Sequence, residues 1–179
     1  MKKLFYISFL LIVNCSLLIV NCYSQPSITW QRTYEDGENF HNIGFDICYS
    51  TPNTYFVIGN RDSYPLNQSQ IIRIDDYGDT LWNHINTSTQ NQPRSCVYTG
   101  NGTCVIVGWG NNSRTKIDST GAVVWYIPYD TMEAELFDVI RKPDETIISC
   151  GSALDPVNGY VIKFNSQGNK IWDKFYNSG

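Results

Sequence analysis

Apolar positions along the chain fall into two regimes. From Leu4 to Val20 they form a single stretch broken by Ser8, Asn14, Cys15 and Ser16. Further along they come in short runs rich in β-branched and aromatic residues, separated by Asp, Asn and Gly, a pattern that suits pleated strands joined by tight turns. The first such unit predicts strands over Gly44 to Ser50, Tyr55 to Gly59, Gln70 to Asp75 and Thr80 to Ile85, with turns at Pro52-Asn53 and Asp76-Tyr77-Gly78. Helix-period segments with caps are absent. The best candidate, Thr131 to Val139, starts with a Thr and two Glu, runs into strand-like Val139-Ile140, and amounts to one helical turn at most.

The unit recurs. Trp30, Trp82, Trp125 and Trp172 are spaced by 52, 43 and 47 residues, periods that belong to propeller blades. Three of them close the same phrase, in which a basic and an apolar residue precede Asp75, Asp118 or Asn165. Gly78, Gly121 or Gly168 follows three later, and Trp four after that. Upstream, Asp46 and Gly59, Ser95 and Gly108, and Asp138 and Gly151 are each 13 apart. The intervals from Gly59 to Asp75, Gly108 to Asp118 and Gly151 to Asn165 vary, at 16, 10 and 14 residues. Variation thus gathers on one edge of the array, where repeat proteins build binding surfaces. The expected fold is all-β: a partial β-propeller of about three four-stranded antiparallel blades near 30–82, 82–125 and 125–172, with 172–179 opening another. Trp172 to Gly179 parallels Trp30 to Gly37, with Trp first, a basic residue two later, Tyr four later and Gly seven later. Three blades fall short of the roughly four to eight with which propellers close, and open sheet edges invite association. The expectation is therefore a fragment of a longer protein or a truncated product.

The first 24 residues change the picture of where the chain works. Lys2 and Lys3 precede the apolar stretch, and the small-x-small triplet Cys22-Tyr23-Ser24 follows it, which is the build of a secretory signal peptide over 1–24. The interrupted stretch falls short of the roughly 20 apolar residues of a spanning helix, so a retained anchor is the weaker alternative. Lipidation at Cys22 is another, since Leu18-Ile19-Val20-Asn21-Cys22 is loosely a lipobox. Asn21 departs from the small residue expected there, and Leu11 to Cys15 repeats the same five residues. Cleavage after Ser24 leaves residues 25–179 as one repeat domain, secreted or at the cell surface, with 11 basic against 17 acidic groups. Such an acidic surface disfavours nucleic acid as a partner.

Four cysteines remain, Cys48, Cys96, Cys104 and Cys150, at non-equivalent places in the repeats. Export permits disulfides, and Cys96 and Cys104 flank a turn at Thr99 to Gly102, but direct opposition puts Val97 across from Cys104. The favoured reading is four buried small hydrophobes. No C-x-x-C spacing or His partner supports zinc.

These residues resemble the secreted repeat proteins of Bacteroidetes-like bacteria, grouped with quinoprotein-like β-propellers, whose blades end in Lys-Leu-Asp-x-x-Gly-x-x-x-Trp. The resemblance covers residues 28 to 179 and speaks to architecture rather than activity. Asn53-Thr54-Tyr55, Asn101-Gly102-Thr103 and Asp144-Glu145-Thr146 replace the family's Asp-Gly-Gly-Tyr hairpin, and its C-terminal sorting domain for type IX secretion is absent. The sialidase Asp box is also similar, but it places Trp three residues after Gly rather than four.

Each candidate for chemistry has a plainer reading. The four Trp residues are core packing before they are carbohydrate platforms. Asp75, Asp118 and Asn165 cap their own turns before they bind calcium, whose oxygen cluster is suggested only by Asp75, Asp76 and Asp79. His41 and His84 lack a Ser or Cys motif that would complete a triad. Asp130, Glu133 and Glu135 form an acidic loop more readily than a glycosidase pair. The glycosylation sequons beyond residue 24, at Asn67, Asn86, Asn101 and Asn111, are expected by accident in so Asn-rich a chain. No cofactor is called for. The leading expectation is a non-catalytic extracellular or cell-surface module that binds protein or glycan or spaces other domains. The alternative is a piece of a quinoprotein dehydrogenase-like or glycosidase-like propeller enzyme lacking its remaining blades.

Overall fold

The computed structural model describes residues 30–34, 41–63, 66–86, 92–109, 114–128, 134–154 and 157–176. The segment read as a signal peptide lies outside them. Two compact units divide the chain, Met1–Gln31 and Arg32–Gly179, and the architecture below is that of the second.

The fold is all-β, with no helix among the described residues. The described residues form twelve strands: β1 (His41–Thr51), β2 (Thr54–Ser63), β3 (Leu66–Asp75), β4 (Thr80–Asn86), β5 (Gln92–Gly100), β6 (Thr103–Trp109), β7 (Arg114–Ile117), β8 (Val123–Ile127), β9 (Ala134–Arg141), β10 (Ile147–Leu154), β11 (Val157–Phe164) and β12 (Lys170–Tyr176). They make three four-stranded antiparallel sheets, each a meander in chain order. The expected four-strand unit thus appears three times. Two details differ from the sequence reading. Ala134–Arg141 is strand, because Leu136, Val139 and their neighbours gain more from a shared core than from a lone helical turn. The interval from Gly59 to Asp75 is largely paired hairpin, with β2 and β3 in register out to Ser63 and Leu66. Repeat-to-repeat variation there is a difference in hairpin length.

Local chemistry sets the turns. Asn53, Asn101 and Glu145 sit in the left-handed region at φ 63°, 51° and 63°, a conformation Asn tolerates better than most residues. Glu145 lies in a turn closed by Lys142 N–H and O, whose Asp144 carboxylate accepts the Thr146 hydroxyl and N–H.

Consecutive sheets share cores. Strand β5 lies against β1 of the first sheet and β9 of the third. Its neighbour β6 alternates between them, as a pleated strand must. Cys104 and Ile106 join Phe56 and Ile58 of the first sheet. Val105 and Val107 join Leu136, Ile147, Ile162 and Phe164 of the third. This is why β6 reads as an unbroken apolar run, Cys104-Val105-Ile106-Val107: a strand buried on both faces has no polar side to keep. Burying each valine fully contributes about 1.5–3 kcal/mol. On the outward faces of the end sheets Ile47 and Ile140 are each 54% exposed.

Candidate functional site

A polar seam runs along β1, β5 and β9. In each of these strands a bulge inserts one extra residue: Phe45 between Gly44 and Asp46, Arg94 between Pro93 and Ser95, and Phe137 between Leu136 and Asp138. A bulge bends its strand and re-aims the following side chain. It also explains the repeated glycines, because the partner strand passes close over it. A methyl group on Gly59, Gly108 or Gly151 would run into the carbonyl oxygen of Ile43, Gln92 or Glu135 respectively.

The residues re-aimed by the bulges meet across the sheets. Ser95 Oγ donates to Asp46 Oδ2 at 2.8 Å and lies 3.2 Å from Asp138 Oδ1. Asp46 Oδ2 also accepts the Cys96 N–H at 2.8 Å, and its Oδ1 accepts the Ile47 N–H at 2.8 Å. Asp138 Oδ1 takes the Val139 N–H in the same way. The carboxylates therefore satisfy backbone donors that the bulges leave free. Ser95 Oγ thus bridges two carboxylates, and these bonds tie β5 to β1 and β9. His84 sits elsewhere, stacked on Trp82 with ring centroids 4.5 Å apart. The side chain of His41 lies outside the described residues.

At the other edge of the sheets the repeated Trp and turn residues act together. Asp75 Oδ1 accepts the N–H groups of Tyr77 and Asp79, Asp118 Oδ1 those of Thr120 and Ala122, and Asn165 Oδ1 those of Gln167 and Asn169, all within 2.8 to 3.1 Å. Gly78, Gly121 and Gly168 complete these turns at φ 77°, 84° and 83°. Next, the residue before each Trp (Leu81, Val124 and Ile171) is a second bulge. That extra residue sets Trp four places after Gly rather than three. Trp82 then reaches the following sheet, donating Nε1–H to Ser119 O at 3.0 Å, where Arg73 also donates at 2.8 Å. Trp125 repeats the contact on Ser166 O at 3.1 Å. Gly121 and Gly168 lie under these indoles, each about 3.1 Å from the ring at the place a Cβ would take. Trp172 is met by the Lys174 ammonium, 5.9 Å from its ring centroid, and Trp30 is 41% exposed.

Other candidates disperse. Asp75 caps its turn, Asp76 accepts the Tyr55 hydroxyl at 2.7 Å, and Asp79 pairs with Arg32 at 2.9 Å. The three do not converge on a common point as ligands. Among the described residues no group of three or more His, Cys, Asp or Glu could hold a metal ion. Asp130 and Glu133 lie outside the described residues, while Glu135 is on β9.

Cys48, Cys96 and Cys104 come together in the core shared by the first two sheets. The sequence reading missed this cluster. Hydrogen bonds from the Cys104 and Cys96 thiols hold the Cys48 thiol well below the usual thiol range, against burial and the nearby Asp46 carboxylate. Cys96 is pushed up, chiefly by its bond to Cys48, and Cys104 is pushed up chiefly by burial. Tyr98, rather than Val97, stands opposite Cys104, because Thr99 is bulged out near the turn. All four described cysteines are free thiols, and Cys150 is exposed rather than buried.

No protein-family model matches the sequence, and neither does any curated protein. No helix among the described residues is long and apolar enough to cross a membrane.

Proposed function

We propose that this chain is a non-catalytic module of the β-propeller type, exported to the cell surface or beyond, in which each four-stranded sheet is a blade and the hairpins and loops of the variable edge bind protein or glycan. The observation that carries the reading is the recurrence of the same seam. Equivalent residues, Trp82 and Trp125, bond to equivalent turn carbonyls, Ser119 and Ser166, so each sheet is built to receive the next. Repetition of one unit with variation at one edge is how repeat proteins separate scaffold from recognition. Export rests on the lysine-led apolar segment ahead of residue 25, and the kinship with secreted Bacteroidetes-type repeats rests on the turn-to-Trp phrase. Polar groups of the Asp46–Ser95–Asp138 seam are engaged with one another and with backbone, which supports a structural role for them.

The test combines binding and turnover. Purified chain is titrated calorimetrically with bacterial surface polysaccharides, and assayed on chromogenic glycosides and on alcohols with added quinone cofactor. The expected result is saturable binding that is lost when residues 60–69 and 110–113 are replaced by Gly-Ser linkers, without turnover. Turnover abolished by Asp46→Asn or Asp138→Asn would overturn the reading in favour of an enzyme.

A further inference from the structure

Three thiols from two sheets share one patch of core, and one of them is placed differently from the others. Cys48 is only partly buried, whereas Cys96 and Cys104 are 6% and 0% exposed. Cys48, on β1, packs against the cluster that holds both Cys96 on β5 and Cys104 on β6. On those neighbouring strands Cys96 faces Ile106 and Cys104 faces Tyr98, so neither thiol stands directly opposite the other.

We propose that Cys48 is the shared sulfur of a thiol–disulfide exchange site at the seam of the first two sheets, forming a disulfide with Cys104 or, alternatively, Cys96. The oxidant is a small or protein disulfide, RSSR. The Cys48 thiolate attacks one sulfur of RSSR, giving a mixed disulfide and releasing RS⁻, which takes up the proton Cys48 gave up. The thiolate of Cys104 or Cys96 then attacks the Cys48 sulfur and releases the second RSH. Overall, two protein thiols are oxidised and one RSSR is reduced to two RSH. The more accessible thiol reacts first, while its buried neighbours serve to resolve the mixed disulfide. Because both pairings use Cys48, they exclude each other. The third thiol stays reduced and within reach, so the bond can pass between Cys104 and Cys96 without further oxidant.

The test is native oxidation of the full chain with oxidised glutathione, followed by alkylation and peptide mapping, which tells Cys15, Cys22 and Cys150 apart from the cluster. The expected product is Cys48 joined to Cys104 or Cys96, with Cys150 blocked or alkylated on its own. Cys48→Ser should slow intrachain disulfide formation about tenfold or more, Cys104→Ser should move the bond to Cys96, and Cys150→Ser should change nothing. Since a core substitution risks unfolding, the wild-type chain is also pulsed with iodoacetamide under native conditions. Cys48 should be labelled ahead of Cys96 and Cys104, and its labelling should block the disulfide. A disulfide between Cys96 and Cys104 formed as fast in Cys48→Ser as in wild type, preferential labelling of either buried thiol, or mixed disulfides that never resolve would each overturn the proposal.

Discussion

The indole of Trp82, in the last strand of one sheet, hydrogen-bonds the carbonyl of Ser119, in the last turn of the next, at 3.0 Å. A strand is thereby anchored on a turn belonging to another repeat. Gly121, two residues on, makes room for the ring that reaches it.

Because Trp125 makes the equivalent contact and packs on the second shared core, Trp125→Ala should cost about 3 kcal/mol. Trp172→Ala should cost roughly 1 kcal/mol, since the ring is met by Lys174 in place of a neighbouring turn. Urea unfolding followed by circular dichroism separates the two. Equal costs would mean that seam contacts do not carry the stability.

Two glycines make opposite predictions. A Cβ on Gly108 would collide with the backbone of Gln92 and Pro93, whereas one on Gly44 would meet nothing within 4 Å. Gly108→Ala should therefore destabilise by about 3 kcal/mol, while Gly44→Ala is neutral or stabilises by up to about 1 kcal/mol. The denaturation midpoints of the two variants, relative to wild type, should move in different directions or by very different amounts.

Removing Asp46 leaves the Cys96 and Ile47 N–H groups without their acceptor, but removing the Ser95 hydroxyl leaves Asp46 with both backbone donors. Asp46→Ala should cost about 2–3 kcal/mol and Ser95→Ala about 1 kcal/mol. Hydrogen exchange at the Cys96 amide should accelerate in the first variant and barely change in the second.

Acid should loosen the turns in a defined window. The Thr120 hydroxyl and N–H hold the Asp118 carboxyl below its ordinary value of 3.8, and Thr146 holds Asp144 down to about 2. A folded-state value below the unfolded one means that the stabilising contribution is complete above the unfolded value and disappears as the pH falls through the folded one. Thermal midpoints should thus decline between about pH 4 and pH 2. Asp144→Asn should flatten that decline while changing little at neutral pH. Asn165 caps the third sheet's counterpart of the Asp118 turn without a charge, so Asp118→Asn should flatten the decline in the same way.

Oxidising the cysteine cluster would close a loop from residue 48 to 104. By the chain-entropy account such a link stabilises by roughly 4 kcal/mol. The thermal midpoint of the oxidised chain should rise by several degrees, and the rise should vanish in Cys48→Ser.

The sequence made the local devices legible. The Asp-to-Gly turns, the left-handed glycines and the four-strand unit all depend on residues a few positions apart, so their repetition at fixed offsets displays them. The bulges at Phe45, Arg94 and Phe137 were not legible, because an inserted residue in one strand shows only against its partner. The long pairing of β2 with β3 was hidden for a related reason: polar residues such as Asn60, Arg61 and Gln68 continue a hairpin whose apolar pattern has stopped. The meeting of Cys48 with Cys96 and Cys104 was hidden by the repeat itself. Cys48 occupies the position of Val97 and Ile140, and Cys96 that of Ile47 and Val139. Comparison position by position sets them apart, yet positions on opposite faces of successive sheets are the ones a shared core brings together.

The seam residue Ser95 stands where the repeats before and after it carry Asp46 and Asp138. An acid in that middle place would set three negative oxygens side by side, with no proton to share among them. One neutral hydroxyl breaks the series, and its single hydrogen lets acidic flanks stand this close. The irregular member of the motif is therefore the one that makes the regular members compatible.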